Sequence, residues 1–412
     1  MRRFTLTLLL LFLPHLAHAQ DPRILMLGNS YTQQNDLHQL LDDSLTGAVP
    51  AWAAVHAESI APGGYTLADH ASRADGSQGD SAQRQALVTG PDAGTWTFVF
   101  LQDQSQVPGF PDTEAMWQDS RDGAVVLDQF IGDGGAETVF LLTWGRRDGD
   151  SSNPSLYPDF STMQARLLDG YLAYVEAVSD GDHQAWIAPA GLAFAEIHDN
   201  IVATGGDPAD PQSAFYKLYS GDGSHPSEAG SHLAALAATV GLTGQPVTGV
   251  TPPDGMDGDT AALLQAAAWG AVQDDVFGRI PYRWAHEWAD WSGPQDVGVE
   301  GPVISDTVLR PVVRVSADLQ EDTIHVGAVH DGGVAGSGEL RVTSGTLAVD
   351  LLTLGERGDI RVDGGSLRAA AITGDGGAIL TGGDLWLGGG TLFRLEHRAG
   401  TLTLAGPVVL ET

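Results

Sequence analysis

Short apolar runs alternate with stretches of helical periodicity along the first 240 or so residues. The runs cover 24–27, 52–57, 97–101, 138–142 and 185–188. Each is apolar throughout or nearly so, as a strand covered on both faces requires. Between them the pattern predicts helices at 36–45, 82–87, 123–131 and 160–178. The last carries Met163, Leu167, Leu168, Tyr171 and Tyr174 at helical spacing, which makes them core residues. A final helix is predicted over 226–240, with Pro226 in its first turn. Five strands alternating with helices predict an α/β domain with a parallel sheet and right-handed crossovers.

The pattern then changes. Residues 245–259 are rich in Pro, Gly and Asp and read as a connector, and 261–276 as an alanine-rich helix packing back on the sheet domain. Trp284, Trp288 and Trp291 share one face if their stretch is helical. That face reads as a seam between domains, with a sugar-stacking platform as the alternative. Beyond about Val308 helical periodicity vanishes. Gly338-Glu339-Leu340, Gly358-Asp359-Ile360 and Gly377-Ala378-Ile379 form one repeating series. Gly345-Thr346-Leu347, Gly365-Ser366-Leu367 and Gly383-Asp384-Leu385 form another. A period near twenty residues predicts an all-β, β-solenoid-like domain, with a β-sandwich as the alternative. Asp363 and Asp375 stand beside glycines and read as turn residues, since the full calcium-binding nonapeptide pattern is missing. The predicted organisation is a signal peptide (1–19), an α/β domain (20–245), a connector with a packing helix and the Trp-rich seam (246–307), and the repeat domain (308–412).

Charge narrows the partners. The chain of 412 residues has a formal net charge of −33, and Lys217 is its one lysine. So acidic a surface argues against nucleic acid and anionic membranes. There is no cysteine, hence no thiol chemistry. Arg2 and Arg3, the apolar stretch 4–13 and Ala17-His18-Ala19 read as a secretory signal. The expected mature chain begins near Gln20, outside the cytoplasm and without membrane insertion.

The chemistry gathers at four places. Ser30 follows the first strand within Gly28-Asn29-Ser30-Tyr31. Asp222-Gly223-Ser224-His225 sets a carboxylate three residues before an imidazole, where one loop supplies a base and the group that orients it. Gly63-Gly64 follows the second strand and offers backbone N–H groups. Gln102-Asp103-Gln104-Ser105 ends the third strand with side-chain amides. Each motif alone has a plainer reading as a turn or a cap; their common position at one edge of the sheet joins them. His38 and His70 lie on candidate helices near that edge and read as polar surface positions or substrate contacts. His56 lies on a strand. No spacing of histidines suits a metal, and no cofactor is expected.

In this order the motifs resemble the SGNH (GDSL-type) hydrolase superfamily. Leu141-Leu142-Thr143-Trp144-Gly145-Arg146, Ile187-Ala188-Pro189-Ala190-Gly191 and 218–227 resemble a secreted bacterial subgroup of it. The resemblance covers roughly 22–245 and implies a flavodoxin-like three-layer fold. It implies Ser30 as nucleophile, with Asp222 and His225 completing a triad. It implies an oxyanion hole from the N–H groups of Ser30 and Gly64 and the side chain of Gln104, with Gln102 able to share that role. Three positions depart from the common pattern: Asn29 stands for Asp, Gln102 for Gly and Gln104 for Asn. Trp144, Arg146 and Arg147 follow the fourth strand and are candidates, with Gln102, for contact with substrate.

The expected function is a secreted serine esterase acting on a small ester or an acylated polysaccharide, with O-acyl or O-acetyl groups on carbohydrate as the first expectation. The alternative is a catalytically inactive extracellular binding protein that works through its β-repeats.

Overall fold

The computed structural model describes residues 21–179, 183–273 and 280–283, and the strands with most of the turns from 287 to 410. The segment 1–19, expected to be a signal peptide, Trp284 and Asp375 lie outside the described residues.

Five strands form a parallel sheet: β1 (Arg23–Leu27), β2 (His56–Ile60), β3 (Phe98–Leu101), β4 (Glu137–Leu141) and β5 (Trp186–Ala188). Their order is β2-β1-β3-β4-β5, the flavodoxin-like order. The helices that follow are α1 (Ser30–Gln33), α2 (Leu37–Ala48), α3 (Leu67–Ala74), α4 (Ala82–Arg84), α5 (Ala115–Asp133), α6 (Phe160–Val178), α7 (Ala190–Ala203), α8 (Glu228–Thr243) and α9 (Gly258–Gln273). With right-handed crossovers, the reversal of direction at β1 puts α2 and α8 on one face and α3, α5 and α6 on the other. The packing agrees: α2 lies on α8 and α8 on α7 and α9, while α3 lies on α5 and α5 on α6.

The apolar runs at β1, β3, β4 and β5 become strands because both faces are covered; Ile24, Phe100, Phe140 and Ile187 are fully buried. The second run differs. Pro50–Trp52 is a single 3₁₀ turn that drops Trp52 into the core, and the strand starts at His56, opposite Arg23. This strand is the sheet edge, so its sequence, His-Ala-Glu-Ser-Ile, is mostly polar. The last helix also starts later than its proline suggests. Ser227 caps it, its side chain accepting from the Gly230 N–H, and Pro226 stands outside. Main-chain pairing continues past β5, where the Ile187 N–H donates to the Pro281 carbonyl at 2.9 Å.

Beyond residue 287 the described structure is all-β, with two larger parallel sheets. One runs through Glu287–Trp291, Pro311–Val315, Ser337–Val342, Arg357–Val362, Gly377–Leu380 and Arg394–His397. The other includes Val303–Ile304, Leu319–Val326, Thr346–Leu354, Ser366–Gly374, Asp384–Leu387 and Thr401–Leu404. The chain visits the two sheets in turn, and their inward residues form a second apolar core. A sandwich of antiparallel strands would not pair in this way. One repeat series lands as its spacing predicts, Leu347 against Leu367 and Leu367 against Leu385. The other slips by one residue at its last member. Ile360 pairs with Ala378, so buried Ala378 rather than Ile379 points inward.

Trp288 and Trp291 lie on a strand of the first of these sheets, which removes the helical arrangement that would align the tryptophans. Asp363 is a turn residue whose carboxylate meets Arg341, Arg361 at 2.7 Å and Thr381. Arg341 also donates to Gln184 in the first part of the chain, at 3.3 Å.

Candidate active site

Ser30 opens α1 directly beyond β1, at the point where strand order reverses toward β2 and β3. Gly28 makes the exit possible, because a Cβ there would meet Thr32 Oγ1 at 2.3 Å and Gln102 Oε1 at 2.7 Å. Asn29 fixes the turn from both ends. Its side chain accepts from the Tyr31 N–H at 3.2 Å and donates to the Tyr65 carbonyl at 2.9 Å and the Asp103 carbonyl at 3.1 Å. The ends of β1, β2 and β3 are thereby joined through one amide.

Opposite Ser30, the loop before α8 presents Asp222 and His225. Asp222 Oδ1 accepts from the N–H groups of Ser224 and His225, both at 3.0 Å, which turns the loop back on itself. Asp222 Oδ2 lies 2.6 Å from His225 Nδ1, and His225 Nε2 lies 2.9 Å from Ser30 Oγ. An ionised carboxylate only accepts, so Nδ1 carries the proton and Nε2 receives the serine hydroxyl. Burial alone would raise the Asp222 carboxyl, but the bonds from His225 and from two N–H groups hold it below the usual carboxylate range. The imidazole is about one-third exposed and Asp222 about half, so the site is open to solvent.

Trp144 is fully buried, which overturns its placement at the substrate rim. The indole stacks between Tyr31, 4.9 Å away, and Phe194, 4.6 Å away, and its N–H donates to the Ser224 carbonyl at 3.2 Å. Tyr31 pairs its hydroxyl with Ser224 Oγ at 2.7 Å. The neighbour of the serine and the neighbour of the histidine are thus held by one aromatic stack. Arg147 grips the same loop, its N–H donating to the Gly223 carbonyl at 2.8 Å while its guanidinium lies over Tyr216. Asn35 reaches Ser231 at 2.9 Å and the Pro226 carbonyl at 3.4 Å. It does so from a left-handed backbone, φ 55, unusual for a residue other than glycine.

Gln102 is also displaced from its expected role. It is buried; its Oε1 accepts from the Asn29 N–H and Thr32 Oγ1, and its Nε2 donates to the Asp103 carbonyl. It shapes the serine turn and has no surface toward a substrate. Gln104 is half-buried. Its Nε2 donates one hydrogen to Gln106 Oε1 at 3.1 Å. Gly64 adopts φ +76 in a turn closed from the Tyr65 N–H to the Pro62 carbonyl at 3.3 Å, and a Cβ there would meet nothing within 4 Å. Arg146 is mostly buried and its Nη1 pairs with Asp150 at 2.6 Å.

Two ionisable groups named in the sequence, Asp103 and His70, turn out to be buried under the site. Asp103 is fully buried and accepts from the N–H groups of Leu67 and Gln104 and from Ser120 and Tyr174. Burial pushes its carboxyl up to about 6 despite these donors. His70 is buried too, not a surface residue. Its Nε2–H donates to the Gly28 carbonyl at 2.8 Å and its Nδ1 accepts from Gln83 at 3.2 Å. Burial lowers its pKa to about 4, so it stays neutral. His38, half-buried on α2, meets Ser59, and exposed His56 lies 3.2 Å from Glu58. Among the described residues no group of histidines and carboxylates is arranged to hold a metal ion.

No protein-family model matches the chain, and no curated protein matches it. Among solved structures it is similar to a protein from Slackia heliotrinireducens inferred to be an SGNH hydrolase. That match has 25% identity over 53% of this chain and 98% of the other, with a TM-score of 0.38. It is also similar to a gut microbial diltiazem-metabolizing enzyme, with 14% identity over 54% of this chain and 48% of the other and a TM-score of 0.35.

Proposed function

We propose that the protein is a serine esterase of the SGNH type, secreted, and acting on O-acyl groups carried by carbohydrate. The observation that carries this reading is the continuous line of hydrogen bonds from Ser30 through His225 to Asp222. Ser30 Oγ attacks the ester carbonyl while its proton moves to His225 Nε2. Asp222 holds Nδ1–H and stabilises the imidazolium. The oxyanion of the tetrahedral intermediate is met by the Ser30 and Gly64 N–H groups and by the Gln104 amide. His225 returns the proton to the departing alcohol, leaving an acyl-serine. Water then attacks the acyl carbonyl, its proton passing to His225 and on to Ser30 as the acid leaves.

A site with His225 one-third exposed and Asp222 half-exposed suits an ester on a large alcohol better than a small apolar one. Burial of Trp144 removes it as a substrate contact, so carbohydrate as the alcohol rests on that exposure and on the repeat region.

The test is acetate release from a small aryl acetate and from acetylated polysaccharide, by the protein and by Ser30→Ala. Loss of a serine nucleophile should lower kcat by on the order of 10⁴-fold or more with the fold retained. Equal turnover by both proteins, or none by either on any ester, would overturn the proposal; the second result would favour a binding role for the β-repeats.

A further inference from the structure

Water competes for the histidine of this site. The His225 side chain is about one-third exposed and Asp222 about half. Solvent can therefore replace either hydrogen bond that holds the imidazole, and each has a modest net worth in such a setting. Keeping Nε2 on Ser30 calls for a contact that water cannot replace. Among the described residues, the ring packed against the imidazole is that of Tyr31. The two meet edge-on, with centroids 5.5 Å apart and planes at 69°.

Tyr31 is itself firmly held. Its ring is buried and lies parallel to the Trp144 indole at 4.9 Å. Its hydroxyl pairs with Ser224 Oγ at 2.7 Å and also meets Ser105, beyond β3, and Arg146, beyond β4. Ser224 precedes His225 in the chain, and Tyr31 follows Ser30. One side chain thus touches the base, the loop that carries the base and, through its own backbone, the turn that carries the nucleophile. The other anchors of the loop act on its main chain. The Arg147 N–H takes the Gly223 carbonyl, the Trp144 indole takes the Ser224 carbonyl, and the Ser220 N–H takes the His225 carbonyl at 2.8 Å. Asn35 reaches the Pro226 carbonyl at 3.4 Å. None of these four contacts bears on the imidazole.

We propose that Tyr31 is a positioning residue for the general base: its ring keeps the His225 imidazole on Ser30, and its hydroxyl, through Ser224, keeps that ring and the loop in register. The proposal rests on the esterase reading above.

The test is turnover of a small aryl acetate by two variants that separate ring from hydroxyl. Tyr31→Phe keeps the ring and loses the link to Ser224, so kcat should fall roughly 3–10-fold, the effect of one hydrogen bond. Tyr31→Leu loses the ring as well, and kcat should fall on the order of 100-fold, as it does when a reacting group is misplaced by about 1 Å. In both, KM should stay within about twofold, because Tyr31 is buried and takes no part in binding substrate. Ser224→Ala should match Tyr31→Phe, and the double variant should lose no more than either, since both remove the same bond. Equal kcat in Tyr31→Phe and Tyr31→Leu, a rise in KM in place of a fall in kcat, or multiplicative losses in the cycle would overturn the proposal. If Tyr31→Leu does not fold, the cycle of Tyr31→Phe with Ser224→Ala decides, and an unchanged kcat there overturns it. Turnover that survives Ser30→Ala would instead remove the esterase reading itself. Turnover that depends on Ser30 but is indifferent to the Tyr31 variants would remove only the role given to Tyr31.

Discussion

Ser30, Asp222 and His225 meet because Asn29, Tyr31 and Ser224, their chain neighbours, are each committed to a buried partner. The buried titratable groups beneath them make stability depend on pH in opposite senses. His70 and His232 both have pKa values lowered to about 4 by burial. As pH falls from 6.5 toward 4 the unfolded chain takes up protons at both histidines and the native state does not, so their contribution is lost over that window. Asp103, raised to about 6, works the other way: its protonated form favours the native state, and that advantage is lost as pH rises from 3.8 to 6. Asp103→Asn should therefore steepen the loss of stability on acidification, read as the thermal midpoint between pH 4.5 and 7. An unchanged slope would contradict the assignment. Gly64→Ala should cost roughly 1–2 kcal/mol in chemical denaturation, from its positive φ alone, since a Cβ has open space there. Of the residues at this site, the sequence made legible those whose chemistry is local. Asp222 and His225 share one short loop, and Ser30 ends an apolar run. Asp103, His70 and Trp144 were not legible in their roles, because each depends on what folds over it. For Trp144 a signal was present: it extends the run from Val139 to Thr143, every residue of which is buried.

Among the elements, those with continuous apolar patterns were readable nearly to the residue, as α6 and β1 show. Edge strand β2 was not, because a strand covered on one side has no long apolar run, and the nearby Trp52 drew the assignment to a turn. Helix α3 is better marked by its capping box, in which Thr66 and Asp69 satisfy each other's N–H groups, than by its periodicity. The slip at Ala378 arose because glycine spacing alone does not fix which neighbour turns inward. Close helix approaches depend on particular glycines. A Cβ at Gly170 of α6 would come within 1.7 Å of the Pro108 carbonyl, and one at Gly123 of α5 within 2.7 Å of the Ala68 nitrogen. Gly170→Ala should lower unfolding free energy by about 3 kcal/mol or more, while Gly63→Ala, with open space around it, should change it by less than about 0.5 kcal/mol. Urea titration of the pair separates packing from a general effect of losing glycine.

For the whole molecule, the two apolar cores are separate sets among the described residues, one including Tyr282 and the other Ile324. A chain ending near residue 300 should fold and keep its activity on a small ester, with a modest loss of thermal midpoint from the missing Arg341–Gln184 contact. A chain ending before α9 should not remain soluble, because Leu264, Ala267 and Ala268 are buried in the first core. Comparing the two by size-exclusion elution tests where the α/β unit stops. A net charge of −33 repels itself, so raising sodium chloride from 10 to about 150 mM should raise the thermal midpoint as the Debye length shortens to about 8 Å. The same composition has a practical side. Lys217 is exposed, and its carbonyl accepts from Ser227, the residue that caps α8 just after the His225 loop. Apart from the chain's α-amino group, reagents that seek amines find one handle on the folded surface. Coupling through it would fix the molecule in one orientation, tethered beside the His225 loop.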